Sequence, residues 1–159
     1  MPKSTTDTEF LVRTRSGRQA VVAMRGPVWI VDDNPDAAKL TQLALQRLNP
    51  QFPNKVFGSG RELIAHMQKM GVSSNPAEMT VPCTILLDLK MPEMDGFAVM
   101  EWLRKHPQFA KIAIIVATQF ADLAHLQQAY ALGARSYLLK PINADVLRGT
   151  LANLSDSLY

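Results

Sequence analysis

The sequence predicts an α/β protein: a doubly wound, five-stranded parallel sheet with helices on both faces, three layers thick. From residue 28 onward, a short apolar run followed by a helical pattern occurs five times. The apolar runs are continuous rather than alternating, which is typical of parallel strands covered on both faces. We therefore expect right-handed crossover connections within one domain of the 159-residue chain.

The first of these units is delimited by capping signals. The apolar run Val28–Val31 predicts a strand that ends at Asp32-Asp33. Asn34 is a favoured N-cap, and Pro35 fits the first helical position because its missing N–H is not needed there. Apolar residues then recur at helical spacing, so a helix should follow the strand directly.

The other four units are predicted in the same way. Their strands are the apolar runs Lys55–Phe57, Thr84–Leu87, Ile112–Ala117 and Ser136–Leu139. Their helices are a segment capped by Ser59, Phe97–Lys105, Leu123–Leu132 and a last helix capped by Asn143. Glycine, proline and small polar residues predict a loop over Gly71–Pro82 and a turn over Met91–Gly96, in which we expect Gly96 to adopt a positive φ.

Composition excludes several classes of protein. Apolar residues make up 47% of the chain and charged residues 19%, which is typical of a globular protein. The single cysteine, Cys83, excludes an intrachain disulfide and a cysteine zinc cage, and a reducing compartment, the cytoplasm, is expected. The longest apolar run is far shorter than the ~20 residues of a membrane span, and the polar start resembles no signal peptide, so no membrane association is expected.

The excess positive charge lies in the first 27 residues. Of the 17 basic and 14 acidic residues, residues 1–27 hold five and two, so residues 28–159 hold twelve of each. A basic body that binds nucleic acid is therefore not expected. We divide the chain into a basic N-terminal extension, residues 1–27, and a domain, residues 28–159. The extension is interpreted as a tail or as a small hairpin of Phe10–Arg15 and Gln19–Met24.

Charged or hydroxyl side chains follow four of the predicted strands. They are Asp32 and Asp33, Asp88, Thr118 and Lys140. The carboxyl ends of parallel strands meet at one edge of the sheet, so these side chains should converge there. Three close carboxylates repel one another, and Mg²⁺ together with the ammonium of Lys140 would compensate them. One carboxylate could then act as a nucleophile towards a phosphoryl group.

Four segments of the sequence resemble a known family. They are Val-Asp-Asp-Asn at 31–34, Ile-Leu-Leu-Asp-Leu-Lys-Met-Pro-Glu-Met-Asp-Gly at 85–96, Val-Ala-Thr at 116–118 and Ser-Tyr-Leu-Leu-Lys-Pro at 136–141. In this order they resemble the receiver domain of response regulators in two-component signalling, the group that includes the chemotaxis regulator. The resemblance covers residues 28–157 and implies a flavodoxin-like sheet with strand order 2-1-3-4-5.

The resemblance also implies a role for each motif residue. Asp88 is implied to be the phosphoacceptor. The implied Mg²⁺ ligands are Asp32, Asp33, Asp88 and the main-chain carbonyl of Lys90. The residues implied to contact the phosphoryl group or to switch with it are Lys140, Thr118 and Tyr137, of which Thr118 is the switch hydroxyl and Tyr137 the switch aromatic.

The implied function is that of a single-domain response regulator, which catalyses only its own phosphorylation and dephosphorylation and is otherwise not an enzyme. The phosphoryl group would come from a phosphohistidine of a histidine kinase or a phosphotransfer protein. Only Asp156–Tyr159 remain after Ser155, so we expect no DNA-binding output domain. The signal would pass to a downstream protein, or to a homodimer partner, through the face formed by the fourth helix, fifth strand and fifth helix, about 122–154.

Three other functions are weighed against this one. A haloacid-dehalogenase-type phosphatase also uses an aspartyl nucleophile, but it needs a second Asp where Lys90 stands. A flavodoxin-like electron carrier needs a phosphate-binding loop where Asp32-Asp33 would repel phosphate. A pseudo-receiver that binds partners without phosphorylation stays the main alternative, although every residue that the phosphoryl chemistry needs is present.

We also expect slow loss of the phosphoryl group. Water must approach the bond between Asp88 and phosphorus past the side chains of Lys90, Gln119 and Phe120. An ammonium cannot act as a general base, and phenylalanine offers no hydrogen bond to orient water. These side chains therefore predict a long-lived phosphorylated state.

Overall fold

The structure, a computed structural model, describes residues 7–13, 19–70, 80–120 and 122–157. Two strands, β1 (Asp7–Arg13) and β2 (Gln19–Arg25), form a small antiparallel sheet. The larger sheet is parallel and consists of β3 (Val28–Val31), β4 (Asn54–Phe57), β5 (Thr84–Leu87), β6 (Ala113–Thr118) and β7 (Ser136–Leu139). Its spatial order is β4-β3-β5-β6-β7, which is 2-1-3-4-5 when only these strands are numbered. The predicted fold class is thus confirmed.

Five helices cover the two faces of this sheet. They are α1 (Pro35–Leu48), α2 (Gly60–Met70), α3 (Gly96–Arg104), α4 (Leu123–Ala131) and α5 (Ala144–Ser157), and a 3₁₀ helix, Pro107–Phe109, follows α3. Within the described ranges, none of the helices is long and apolar enough to span a bilayer.

Two separate apolar cores lie on the two faces of the sheet. Side chains of α2, α3 and α4 pack in one core, and those of α1 and α5 pack in the other. Along β3, Trp29 and Val31 belong to the first core, whereas Val28 and Ile30 belong to the second. This alternation buries both faces of the strand, and it explains the continuous apolar runs in the sequence.

The predicted caps begin the helices as expected. The Asn34 side chain accepts hydrogen bonds from the main-chain N–H groups of Asp36 and Ala37, at 2.9 and 3.1 Å. The Asn143 side chain likewise accepts a hydrogen bond from the main-chain N–H of Asp145, at 2.7 Å. These bonds satisfy N–H groups that the helix itself leaves without acceptors. The ends of the elements from β3 onward differ from the predicted ones by one or two residues, within the usual fraying of helix and strand ends. β1 begins three residues earlier than the predicted strand Phe10–Arg15.

The N-terminal strands lie beside the last helix. β1 and β2 pair from Asp7 opposite Arg25 to Arg13 opposite Gln19, and both strands approach α5. Met24 is buried in the core that α1 and α5 share. The turn expected between the strands, residues 14–18, lies outside the described residues, as does 71–79 of the predicted 71–82 loop.

A tight junction connects β2 to the large sheet. Gly26 has φ +153°, and a Cβ there would lie 3.1 Å from both the Cys83 N and the Val81 O. Only glycine allows this close approach of two main-chain segments without displacing one of them. The Cys83 thiol is directed at the Gly26 carbonyl, 3.3 Å away, and burial raises the pKa of this thiol to about 11.

Candidate functional site

An acidic cluster lies where β3 and β5 end. Asp32 and Asp33 directly follow β3, and Asp88 directly follows β5. Each contributes a carboxylate oxygen to a group in which all oxygens lie within 4.8 Å of one another. Asp32 and Asp88 are only 3% and 8% exposed, whereas Asp33 is open to solvent. The expected convergence of the three carboxylates is therefore present.

The main chain holds this cluster in place. The Asp32 N–H donates to the Phe57 carbonyl at 3.1 Å, and the Asp88 N–H donates to the Val31 carbonyl at 3.0 Å. The sheet thus continues one residue beyond the strands. The Asn34 N–H donates to a carboxylate oxygen of Asp32 at 2.9 Å, which fixes the orientation of that side chain.

Lys140 is the counter-charge of the cluster. Its Nζ bonds Asp32 Oδ2 and lies 3.5 Å from Asp88 Oδ2. The Lys140 N–H donates to the Thr118 carbonyl at 2.8 Å, so the end of β6 positions the residue. One ammonium faces three carboxylates, which leaves an excess of negative charge in a largely desolvated pocket.

Asp88 responds to this environment. Burial raises the pKa of its carboxyl to about 6 from an ordinary value of 3.8. Lys140 opposes the rise, whereas the charges of Asp32 and Asp33 add to it. A carboxylate in this state gains from any additional cation nearby.

The donor set fits a hard divalent cation. Carboxylate oxygens are ligands that Mg²⁺ prefers, and their uncompensated charge favours binding of such an ion. The Lys90 carbonyl accepts no hydrogen bond within the described part of the chain, whereas the neighbouring Leu89 carbonyl accepts one from the Gly96 N–H at 2.8 Å. The Lys90 oxygen is therefore free to serve as a further ligand.

Gly96 shapes the turn after Asp88, but not through the expected positive φ. Among the described residues, the positive φ angles belong to Glu93, Gly26 and Gly133. A Cβ on Gly96 would lie 2.5 Å from the Asp88 carbonyl oxygen and 2.9 Å from the Leu89 Cα. The glycine is needed because the first turn of α3 passes directly against the main chain of the acidic site.

The two residues interpreted as switch residues converge on one segment. Thr118 is fully buried, and its Oγ1 accepts a hydrogen bond from the Phe120 N–H at 3.3 Å. The Tyr137 hydroxyl donates to the Phe120 carbonyl. Burial raises the pKa of this hydroxyl, and the charge of Asp122 adds to the rise. The main chain at Phe120 therefore connects the site to β7.

Aromatic side chains surround the entrance to the site. The Lys90 Nζ lies over the Phe120 ring, 3.6 Å from its centre. The His125 ring stacks on Phe97 at 5.9 Å and bonds to Asp122, the N-cap of α4. These contacts were missed at the sequence level, because Phe97, Asp122 and His125 belong to no motif and resemble ordinary helix residues there. Beside them lies a cavity of about 450 Å³ that Lys90 and His125 also line.

Comparison with known proteins decides the family. The family model described as the response regulator receiver domain matches residues 28–152. The chain belongs to the response regulator receiver family. Receivers are signalling modules of two-component systems rather than classical enzymes.

Relatives and solved structures agree with this membership. The transcriptional regulator NtrC of Salmonella typhimurium is 30% identical over 122 residues, which are 76% of this chain and 23% of that protein. The chemotaxis protein CheV1 of Helicobacter pylori is 28% identical over 122 residues, 76% of this chain and 36% of its own length. The chain thus spans about a quarter to a third of these two relatives. The chemotaxis protein CheY4 of Vibrio cholerae superposes with a TM-score of 0.66 at 26% identity, covering 80% of this chain and 97% of that one.

Proposed function

We propose that this receiver accepts a phosphoryl group on Asp88 from the phosphohistidine of a histidine kinase or phosphotransfer protein. The observation that supports this proposal is the cluster of three carboxylates beside Lys140. A structural ion pair needs one carboxylate, whereas here three lie within 4.8 Å of one another. Holding the excess carboxylates together opposes folding, and a phosphoryl-transfer site gives this arrangement a use.

The chemistry uses side chains whose positions are known. A carboxylate oxygen of Asp88 attacks phosphorus, an O–P bond forms, and the N–P bond of the donor breaks, so that the imidazole leaves and takes up a proton. Lys140 moves its ammonium from Asp32 and Asp88 towards the phosphoryl oxygens, and Thr118 donates its hydroxyl to them. Asp32, Asp33, Asp88 and the Lys90 carbonyl would hold Mg²⁺, which when bound neutralises charge on the phosphoryl oxygens.

The output surface is the face of α4, β7 and α5. Large apolar side chains are exposed there, among them Leu123, Tyr130, Leu139 and Val146, each at least 48% exposed. When Thr118 turns towards the phosphoryl group, the hydrogen bond between its hydroxyl and Phe120 is lost, and the packing of Tyr137 changes with it. This face would then contact a downstream protein or a second copy of the chain.

The division of the chain forms part of the proposal. In it, residues 28–159 constitute the receiver and residues 1–27 are an extension, of which the described strands β1 and β2 approach α5. These two strands could therefore limit which partners reach the α5 side of the output face. The competing function, a pseudo-receiver that never carries phosphate, keeps the same surfaces but leaves the acidic cluster without a role.

Intact-mass measurement separates these two functions. Incubation with acetyl phosphate and Mg²⁺ should add one phosphoryl group to the wild-type chain and none to Asp88→Asn. Asp36→Asn, which changes an exposed carboxylate on α1, is the matched control and should react like wild type. A wild-type protein that gains no mass from acetyl phosphate, nor from a phosphorylated histidine donor, would favour the pseudo-receiver.

Hydrogen exchange tests the output face. Beryllofluoride, a stable mimic of the phosphoryl group, should change exchange within residues 122–154 in wild type but not in Asp88→Asn. Changes confined to α1 and α2 would contradict the assignment of this face.

A further inference from the structure

A groove lies at the end of the sheet opposite the acidic cluster. We call it the α3–α4 groove: it is formed by the last turn of α3, the 3₁₀ helix, the start of β6 and the residues that follow α4, and its volume is about 240 Å³. Apolar side chains provide most of its lining, including Leu103, Phe109, Ile112 and Leu132. It is large enough to take one apolar side chain from another molecule.

Positive charges border this groove. Arg104 is part of its lining, and its Nη1 lies 3.5 Å from the Ala131 carbonyl, which ties the C-terminal ends of α3 and α4 together. Lys105 follows Arg104, Lys111 lies between two lining residues in the chain, and Arg135 comes two residues after the lining residue Gly133. All four are exposed, and none forms an ion pair within the described ranges.

Acidic residues are missing from this part of the sequence. Residues 102–144 contain one carboxylate, Asp122, which caps α4 at the other end of the sheet and is bonded to His125. The nearest acidic residue before this stretch is Glu101, one turn of α3 before Lys105. The charge balance of the domain as a whole is therefore not repeated in this stretch of sequence, and the four cations form no ion pair with any residue that the structure describes.

We propose that the α3–α4 groove binds an acidic peptide segment of a partner protein, with one apolar side chain as the anchor. The apolar lining removes the anchor from water, which is where most of the binding energy of such a contact arises. Arg104 can bind a carboxylate of the segment through two parallel hydrogen bonds, and the surrounding lysines attract further carboxylates. A polyanion without large apolar groups, such as heparin, would leave the lining unused. The site is separate from Asp88, so it does not rest on phosphorylation.

A synthetic peptide provides the probe. It carries Leu-Phe at its centre, flanked on each side by three or four glutamates and aspartates, and its binding is followed by calorimetry. Trp102 gives a second signal, because its ring stacks on that of the lining residue Phe109 at 6.0 Å, whereas Trp29 is buried in the core. We expect one saturable site. Peptides with lysine flanks, or with serine in place of Leu-Phe, should bind at least tenfold more weakly.

Variants locate the site. Arg104→Glu/Lys111→Glu should weaken binding at least tenfold, whereas Lys39→Glu/Lys69→Glu, which reverses two exposed charges on α1 and α2, should leave it unchanged. Ala110→Phe enlarges an exposed lining residue and should block the groove without reversing any charge. If the double charge-reversal variant fails to fold, Ala110→Phe alone tests whether the peptide binds in the groove.

Three results would overturn the proposal: no saturation at millimolar peptide, unchanged binding in Ala110→Phe, or equal binding of the peptide with a serine centre. If heparin competes fully and also binds as tightly as the acidic peptide, the surface is a polyanion site rather than a peptide groove.

Discussion

The two ends of the parallel sheet carry opposite charge, and they hold it differently. At the carboxyl end, Asp32 and Asp88 are buried with Lys140, and the pKa of Asp88 is raised. At the amino end of β6 and β7, cations such as Arg104 and Lys111 are exposed and form no ion pair within the described residues. Buried carboxylates close to one another oppose folding and require a compensating cation, whereas exposed like charges reduce the free energy of unfolding only slightly. This difference supports the proposals that the acidic end is the site of phosphoryl chemistry and that the basic end is a recognition surface.

The largest effect should come from removing the central cation. Lys140→Met leaves buried carboxylates without a partner, and it should lower the free energy of unfolding by about 2–3 kcal/mol at neutral pH without divalent ions. Lys111→Met, at the opposite end, should change it by less than about 0.5 kcal/mol. Urea denaturation measures both, and addition of Mg²⁺ should recover part of the loss in Lys140→Met. Equal effects of the two substitutions would remove the contrast between the ends.

The metal site should depend on the exposed member of the cluster. Asp33→Ala should weaken Mg²⁺ binding at least tenfold, which corresponds to about 1.4 kcal/mol, because it removes a ligand and a negative charge. Asp36→Ala changes a carboxylate three residues away in the chain and should leave the affinity within about twofold. Isothermal titration calorimetry gives both dissociation constants. Undiminished affinity in Asp33→Ala would exclude this aspartate as a ligand.

Asp88 should make stability depend on pH in a defined direction. Its raised pKa means that the folded protein binds this proton more tightly than the unfolded chain does. The resulting stabilisation is fully present below about pH 4 and is lost as the pH rises through about 6. Without divalent ions, Asp88→Asn should therefore match wild type near pH 4 and be more stable by about 1–2 kcal/mol at pH 7.5.

Thermal or urea unfolding across this pH range provides the test, with Asp36→Asn as the control for loss of an exposed carboxylate. If the difference in unfolding free energy between Asp88→Asn and wild type did not vary with pH, burial would not raise the pKa of the Asp88 carboxyl.

The smallest effect concerns the lifetime of the phosphorylated state. Lys90 rests on the Phe120 ring and can cover the approach of water to Asp88. Lys90→Asn and Gln119→Ala should each accelerate dephosphorylation about three- to tenfold, which is at most about 1.4 kcal/mol of barrier. Lys39→Asn should have no effect. Decay rates that stay constant or fall in both variants would mean that these side chains do not shield the bond.

The contrast between the ends also explains what could be predicted from the sequence. The residues of the acidic end each follow a strand of one parallel sheet, so the pattern of strands already places Asp32, Asp88 and Lys140 at the same edge. The groove is assembled from separate loops and helix ends, and none of its residues carries a motif. Arg104 resembles any exposed helical arginine until the fold brings it against the end of α4.

Local geometry was less predictable than the arrangement of strands. We expected a positive φ at Gly96, because a glycine in a turn often adopts one. The sequence shows that residue 96 has no side chain, but it does not show why a side chain is not tolerated there. The reason is the 2.5 Å approach of its Cβ position to the Asp88 carbonyl, a contact between segments that only the folded chain defines. The stacking of His125 on Phe97 likewise depends on the packing of α3 against the start of α4.

Chemical mapping of the phosphorylated residue identifies the phosphoacceptor without relying on a loss of function. After reaction with acetyl phosphate and Mg²⁺, borohydride reduces an aspartyl phosphate to homoserine, which peptide mass spectrometry can locate. We expect homoserine at residue 88 in wild type, and in Asp88→Asn we expect no homoserine at position 32 or 33 in its place. Homoserine at another aspartate, or at none while the protein still carries phosphate, would contradict the assignment of Asp88 as the acceptor.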